Sequence, residues 1–275
     1  MWQYLIKALK IYLIVALLGV FSPSVFPSVE RIVSLAPHTT ELIYALDAEE
    51  KLVAVSDYSN YPPQATQLPS VANHNGVDFE AIVRLQPDLI VAWQGGNKPQ
   101  DLARLASLGF TLYYSAPLTP QDISRDIKQL GELLARQERA LVLADEFSQG
   151  LAHISQRYAQ VTRQQAFYYM WTAPLMTIGQ QAWANQLLDI CGLDNIFADS
   201  PIPYPEVSKE QVISRHPTLL IAAMKTSQPE AAEYWQSMQG LLHAKVIVAN
   251  PDELHRFTPR LIQGLATLCK DINGF

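Results

Sequence analysis

The sequence predicts an α/β protein of two lobes, each a mostly parallel sheet flanked by helices, with one long α-helix joining them. Three observations carry that prediction. From Arg31 onward short β-rich runs alternate with helix-like stretches, the pattern of a parallel sheet built through helical crossovers. The segment Asp78–Ile90 recurs as Ser208–Leu220, about half a chain later. Between the two halves, Leu141, Ala144, Phe147, Leu151, Ile154, Tyr158 and Val161 follow one another at spacings of three and four, with no proline from Gln121 to Val161.

The first half supplies Ile32–Leu35 as a strand, Thr39–Leu46 as a helix and Leu52–Val55 as a second strand. The helix after Asp78 then leads into a strand at Leu89–Trp93, and a helix at Asp101–Leu108 leads into a strand at Thr111–Tyr114. A helix over Gln137–Gln160 would run roughly 36 Å at 1.5 Å per residue, long enough to bridge two lobes. Gly131 before it and Gly150 within it leave a broken pair of helices open as the alternative. The second half continues with a strand at Ala166–Met170, a helix at Trp183–Cys191 and the helix after Ser208. Strands at Leu219–Ala222 and Lys245–Val248 follow, and a helix from Thr258 to about Asp271 ends the chain. The resulting division is a signal peptide at 1–26, a first lobe at 30–136, a linking helix at 137–161 and a second lobe at 162–275.

The repeated unit has its own physical logic. Asp78 and Ser208 are good N-caps, Glu80 and Glu210 follow two residues later, an apolar pair comes next, and proline ends the helix before an apolar strand. Ser208 and Gln211 have the spacing of a capping box. A glutamate in the first turn complements the helix dipole by roughly 0.3–1 kcal/mol, which accounts for either residue singly. Matched placement in both halves is what a two-fold partner would read.

Composition bounds the setting. Lys7 and Lys10 precede an apolar run from Ile11 to Phe21, and Ser22, Ser24 and Ser28 offer small residues for cleavage, the plan of a secretory signal peptide. A retained membrane anchor is the alternative, against which Pro23 and Pro27 interrupt the stretch before the roughly 20 apolar residues a span needs. Hydrophobic residues make up 49% and charged residues only 17% of the chain, as in a compact globule, and the net charge of −6 argues against nucleic acid or an anionic membrane as partner. In an exported chain the two cysteines, Cys191 and Cys269, imply one disulfide, two buried free thiols being the alternative.

Open α/β sheets bind ligands at the carboxyl ends of their strands, and here those loops are aromatic and proline-rich. They are Ala36–His38, Asp57–Pro63, Trp93–Asn97, Met170–Pro174 and Pro201–Pro205. Aromatic faces in such loops suit a large, flat, partly apolar ligand. The sequence contains no G-x-S-x-G elbow, Walker loop or G-x-G-x-x-G, and its six histidines show no metal-ligand spacing, although His38, His74 and His255 lie in candidate cleft loops.

At Ser56–Ala65, Ala92–Asn97, Cys191–Phe197 and Pro203–Val212 the chain closely resembles the vitamin B12-binding periplasmic proteins of bacterial ABC importers, and the likeness runs from about Arg31 to the C-terminus. The resemblance implies two Rossmann-like lobes holding cobalamin between them, with no cofactor and no catalysis. The partner would be a two-fold ABC permease of the inner membrane, and the protein would act in the periplasm as a monomer when free. In that family a glutamate on each lobe docks into permease arginines, and the matching residues are Glu80 and Glu210; a disulfide falls where Cys191 and Cys269 stand. Family contacts to the corrinoid carry over to Tyr58, Trp93, Gly95 and Arg256. The chain departs from the family pattern at His74, Met170 and Met176, where aromatics are usual, and at His255, which replaces an acidic residue; Tyr204 keeps an aromatic where tryptophan is familiar. The candidate ligand-binding set is therefore Tyr58, His74, Trp93, Gly95, Met170, Tyr204, His255 and Arg256, with no metal site. Carriage of haem or a ferric siderophore is the alternative that His74 and His255 raise, and an exported α/β enzyme is a more distant one.

Overall fold

In the computed structural model, which describes residues 28–274, the β-rich runs become the strands of two sheets. The expected signal peptide at 1–26 lies outside the described residues. The first sheet holds β1 (Ile32–Ser34), β2 (Leu52–Ser56), β3 (Ser70–Asn73), β4 (Gly76–Val77), β5 (Leu89–Trp93) and β6 (Leu112–Ser115). Their order is β4-β3-β2-β1-β5-β6, and every pairing is parallel except β3 with β4. Leu89–Ala92 is buried throughout, as a strand covered on both faces must be. The covering helices are α1 (Pro37–Ala45), α2 (Phe79–Leu85), α3 (Pro99–Ser107) and α4 (Pro120–Leu133).

Next in the chain is α5 (Gln137–Tyr158), 22 residues and about 33 Å long. The break that the sequence left open falls before it, at Leu134–Arg136, where Ala135 takes a φ of 57°. Both glycines of that region serve packing. A Cβ at Gly131 would lie 2.2 Å from the Ala140 Cβ, so α4 and α5 come together through the missing side chain. Gly150 interrupts nothing and receives Ile262 of the last helix. The buried stripe of α5 runs Ala140, Leu143, Ala144, Phe147, Leu151, Ile154, Tyr158, whereas Leu141 faces outward at 60% exposure.

The second sheet holds β7 (Gln164–Thr172), β8 (Leu175–Thr177), β9 (Leu193–Asn195), β10 (Leu219–Ala222) and β11 (Lys245–Val248), in the order β11-β10-β7-β8, with β9 also paired to β7. Only β8 runs antiparallel to its neighbour. Its helices are α6 (Ala184–Ile190), α7 (Lys209–Ser214), α8 (Gln228–Gln236), α9 (Pro251–Leu254) and α10 (Leu261–Asn273). The Cys191–Cys269 disulfide is formed and fastens the end of α6 to α10.

The repeated segment folds alike in both places. Asp78 accepts a hydrogen bond from the Ala81 N–H and Ser208 from the Gln211 N–H, and the Gln211 side-chain oxygen in turn accepts from the Ser208 N–H. Each helix, α2 or α7, then feeds an interior strand of its sheet, β5 or β10. One apolar cluster runs from the first sheet (Ile32, Leu89) through α4 and α5 (Ile127, Phe147) to the second sheet (Tyr168, Ile221), so the core does not stop at the boundary between the sheets. Among the described residues no helix is long and apolar enough to cross a membrane.

Candidate functional site

Strand order decides where a crevice opens. From β1 the chain adds β2 on one side and later β5 on the other, so the connections leaving β1 and β5 at their carboxyl ends part company there. His38 follows β1 and Trp93 ends β5 at that switch point. A cavity of about 380 Å³ sits against Trp93 and is completed by the second lobe. Met170 of β7, Met176 and Ile178 at β8, Trp183 and Ala184 at the start of α6, Tyr204, and His255 with Phe257 beyond β11 form the rest of its wall.

The wall is held by edge-to-face aromatic contacts. Phe257 packs at 90° on Trp183 with centroids 4.6 Å apart, and Trp93 lies 5.6 Å from Phe257. His38 sits behind both, 5.4 Å from Trp93 and 5.3 Å from Phe257. Such pairs contribute about 0.5–1.5 kcal/mol each beyond their burial. The Trp183 indole N–H is also tied, to the Leu254 carbonyl at 3.1 Å. Trp93 owes its position to two glycines: a Cβ on Gly96 would fall 1.9 Å from the indole Cε3, and one on Gly95 3.0 Å from Nε1.

Both histidines near the cavity are neutral. Burial, with the nearby Arg256 charge, pulls His38 down to about 3. Its Nε2 lies 2.9 Å from the Ser115 hydroxyl, which donates its proton to Asp126 at 2.5 Å, and Tyr113 donates to the other oxygen of that carboxylate at 2.9 Å. Histidine, serine and aspartate thus meet, but the order is not that of a nucleophile and its base: Ser115 is fully buried and points its proton at the carboxylate. Burial likewise lowers His255 to about 4, against the pull of Asp252. His255 Nε2 is 2.7 Å from the Tyr168 hydroxyl.

Beside the cavity a cluster of ions crosses between the lobes. Glu41 of α1, only 3% exposed, accepts from Arg256 at 2.6 Å and from Arg260 at 2.7 and 2.9 Å. Arg256 also donates to Asn60 (2.8 Å), Asp252 (3.1 Å) and the Tyr58 carbonyl (3.2 Å), and Arg260 stacks on the Tyr61 ring.

The structure therefore brings Trp93, Met170, Tyr204 and His255 of the expected set to one cavity, with Met176 beside them and Gly95 beneath the Trp93 indole. The guanidinium of Arg256 is engaged in the ion cluster. Tyr58 projects at 74% exposure from a residue with a φ of 63°, and His74 is exposed in the turn joining β3 to β4, outside the cavity wall. Glu80 and Glu210 are exposed in the first turns of α2 and α7, with Arg84 3.8 Å from Glu80. Sequence reading missed Phe257, Trp183 and Glu41. The loop after β11 was legible by the same strand-end rule as the others, whereas Glu41 sits within an ordinary helical pattern that gives no sign of partners more than 200 residues away. Among the described residues no group of three or more His, Cys, Asp or Glu is arranged to hold a metal ion.

Comparison with known proteins places this architecture. The vitamin B12-binding protein of Photorhabdus laumondii is 41% identical over 257 residues, covering 93% of this chain and 92% of that protein. The vitamin B12-binding protein of Vibrio cholerae is 42% identical over 250 residues, 89% of each chain. The crystal structure of the periplasmic vitamin B12 binding protein BtuF of Vibrio cholerae superposes with a TM-score of 0.83 at 40% identity, over 90% of this chain and 98% of that one. Residues 32–251 match the family model described as periplasmic binding protein, so the chain belongs to the periplasmic binding protein family.

Proposed function

We propose that the mature protein captures cobalamin in the periplasm, between its two lobes, and delivers it to a two-fold ABC permease without catalysis of its own. The observation that carries this reading is the cavity wall: aromatic rings, two thioethers and neutral polar groups drawn from both lobes, with no formal charge on any wall residue, in a chain whose relatives at about 40% identity are vitamin B12-binding proteins. A corrinoid is flat, partly apolar and fringed with neutral amides, which such a wall can accept without a buried counter-ion. A cavity of 380 Å³ is smaller than the whole ligand, so it seats one part while the lobe rims hold the rest.

The 1–26 segment directs export on this reading and is removed. Residues 30–136 and 162–275 act as the two lobes, α5 acts as a stiff link that limits hinge motion, and the free protein is a monomer. Glu80 and Glu210, repeated on equivalent helices, are the permease contacts, while Tyr58, Trp93, Gly95, Met170, Tyr204 and His255 serve the ligand.

Calorimetric titration of the mature protein with cyanocobalamin, with haemin as competitor, tests the ligand. One-to-one corrinoid binding at nanomolar to low micromolar strength is expected; haemin binding without corrinoid binding would transfer the same fold to another cargo. For docking, Glu80→Arg combined with Glu210→Arg should abolish delivery to permease-containing vesicles and spare ligand affinity. Lost affinity would return both residues to the cleft or the fold.

A further inference from the structure

The hydrogen bond between Tyr168 and His255 decides which nitrogen of the imidazole carries its proton. Tyr168 is fully buried on β7, and among the described residues its hydroxyl bonds only to His255 Nε2, at 2.7 Å. A phenol keeps its proton at neutral pH, and burial raises the Tyr168 pKa further. If the hydroxyl accepted from an Nε2–H, its own proton would be buried without an acceptor, at a net disadvantage to the fold. Donation to a bare Nε2 satisfies both groups. A neutral imidazole has a single ring proton, which must then sit on Nδ1. Nδ1 makes no hydrogen bond to the described residues, so with Nε2 engaged by Tyr168 it is the ring nitrogen still open to a ligand in the cavity that His255 lines.

We infer that Tyr168 locks His255 as the Nδ1–H tautomer, so that His255 offers the cavity a neutral N–H donor for a carbonyl oxygen and is no ligand for a metal centre. The tautomer follows from the hydrogen-bond accounting alone. That the carbonyl is an amide oxygen on the rim of a corrinoid rests on the proposed function. His255 is on this view a specificity residue: it favours cargo with a carbonyl at that point and gives no axial bond to cobalt or iron.

Two measurements test the parts separately. Nitrogen NMR of ¹⁵N-histidine protein without ligand, assigned with His255→Gln, should show a pyrrole-type Nδ1 and a pyridine-type Nε2, and Tyr168→Phe should return His255 to a mixture of tautomers. The reversed pattern overturns the tautomer whatever the protein binds. With cyanocobalamin, His255→Leu should lose affinity by about tenfold, the worth of one hydrogen bond, and His255→Gln, which keeps an N–H donor, should stay within about threefold. Equal losses in both variants overturn the donor role. With aquocobalamin the cobalt spectrum should be the same bound to the native protein and to His255→Leu; a histidine-dependent shift would mean that His255 coordinates the metal. Failure of the native protein to bind any corrinoid overturns the proposed function and the amide assignment together, leaving the NMR result to stand on its own.

Discussion

Replacing Glu41 by glutamine should weaken the native state more than any single change on the surface. Glu41 receives three donated hydrogen bonds from two arginines, of which Arg256 is 10% and Arg260 19% exposed. Removing one partner of a buried pair costs about 3–5 kcal/mol, because the charges left behind are desolvated and uncompensated. The lower end applies here. Arg256 keeps Asp252, Asn60 and the Tyr58 carbonyl, and Arg260 keeps the Tyr61 ring and the Asp252 carbonyl. A loss of about 3 kcal/mol in a chain of this size lowers Tm by about 6–12 °C. Scanning calorimetry of the ligand-free protein at pH 7 reads it directly. Because the cost comes from stranded charge, Glu41→Gln combined with Arg256→Gln should be less destabilised than the sum of the two single variants. A Tm drop under about 2 °C for Glu41→Gln, or strict additivity in the double variant, would refute the reasoning and reduce the cluster to an incidental contact.

Three further outcomes follow from the same geometry. Gly96→Ala, whose new Cβ collides with the Trp93 indole, should weaken cyanocobalamin binding by about tenfold although the wall residues are unchanged, and unaltered affinity in a titration would refute Trp93 as a floor. His38 and His255 have folded pKa values of about 3 and about 4, below the unfolded value of about 6.5, so the unfolded state takes up their protons first. Stability should fall as pH drops below about 6.5, by roughly 2 kcal/mol per histidine at pH 5; His38→Asn should remove about half of that excess in urea titrations at pH 7 and 5. Replacing Cys191 and Cys269 by alanine frees a closed loop spanning a separation of 78 residues, worth about 4.5 kcal/mol on the chain-entropy estimate, and denaturant unfolding of the double variant should show most of that loss.

What was readable in the sequence, and what was not, divides along a physical line. Strand runs such as Leu89–Trp93 and Leu219–Ala222 are continuous apolar segments because they are covered on both faces, and the capped helices after Asp78 and Ser208 announce themselves by local chemistry. The short strands β4, β8 and β9 have two or three residues each, too few for any period to appear, and exist because a neighbouring strand offers them an edge. Leu141 fits the helical spacing of α5 yet faces outward, since spacing fixes a face but not its width. The aromatic strand-end loops led to Trp93, Met170 and Tyr204 through a rule about sheets. Glu41, Arg256 and Arg260 needed the folded chain, because their partnership joins residues more than 200 positions apart.

The placement of charge bears on which cargo this cleft can hold. Glu41, Arg256 and Arg260 lie next to the cavity but spend their charges on one another and on Asp252, and the two histidines at the wall and behind it are kept neutral by burial. The wall itself is left with rings, thioethers, a phenol and an imidazole. A haem brings carboxylates and many ferric siderophores carry net negative charge; burying such a group without a counter-ion costs several kcal/mol. To gain a counter-ion from this cleft the ligand would have to take Arg256 from Glu41, at about the same cost as the Glu41→Gln change. The corrin ring with its neutral amides meets no such demand when the one anionic group of cobalamin, the phosphodiester of its nucleotide loop, stays in water at the rim. Selectivity for cobalamin over haemin should therefore shrink in Glu41→Gln, where Arg256 loses its Glu41 partner and is held by Asp252, Asn60 and the Tyr58 carbonyl alone, and an unchanged ratio of the two affinities in that variant would mean that charge pairing beside the cavity has no part in choosing the ligand.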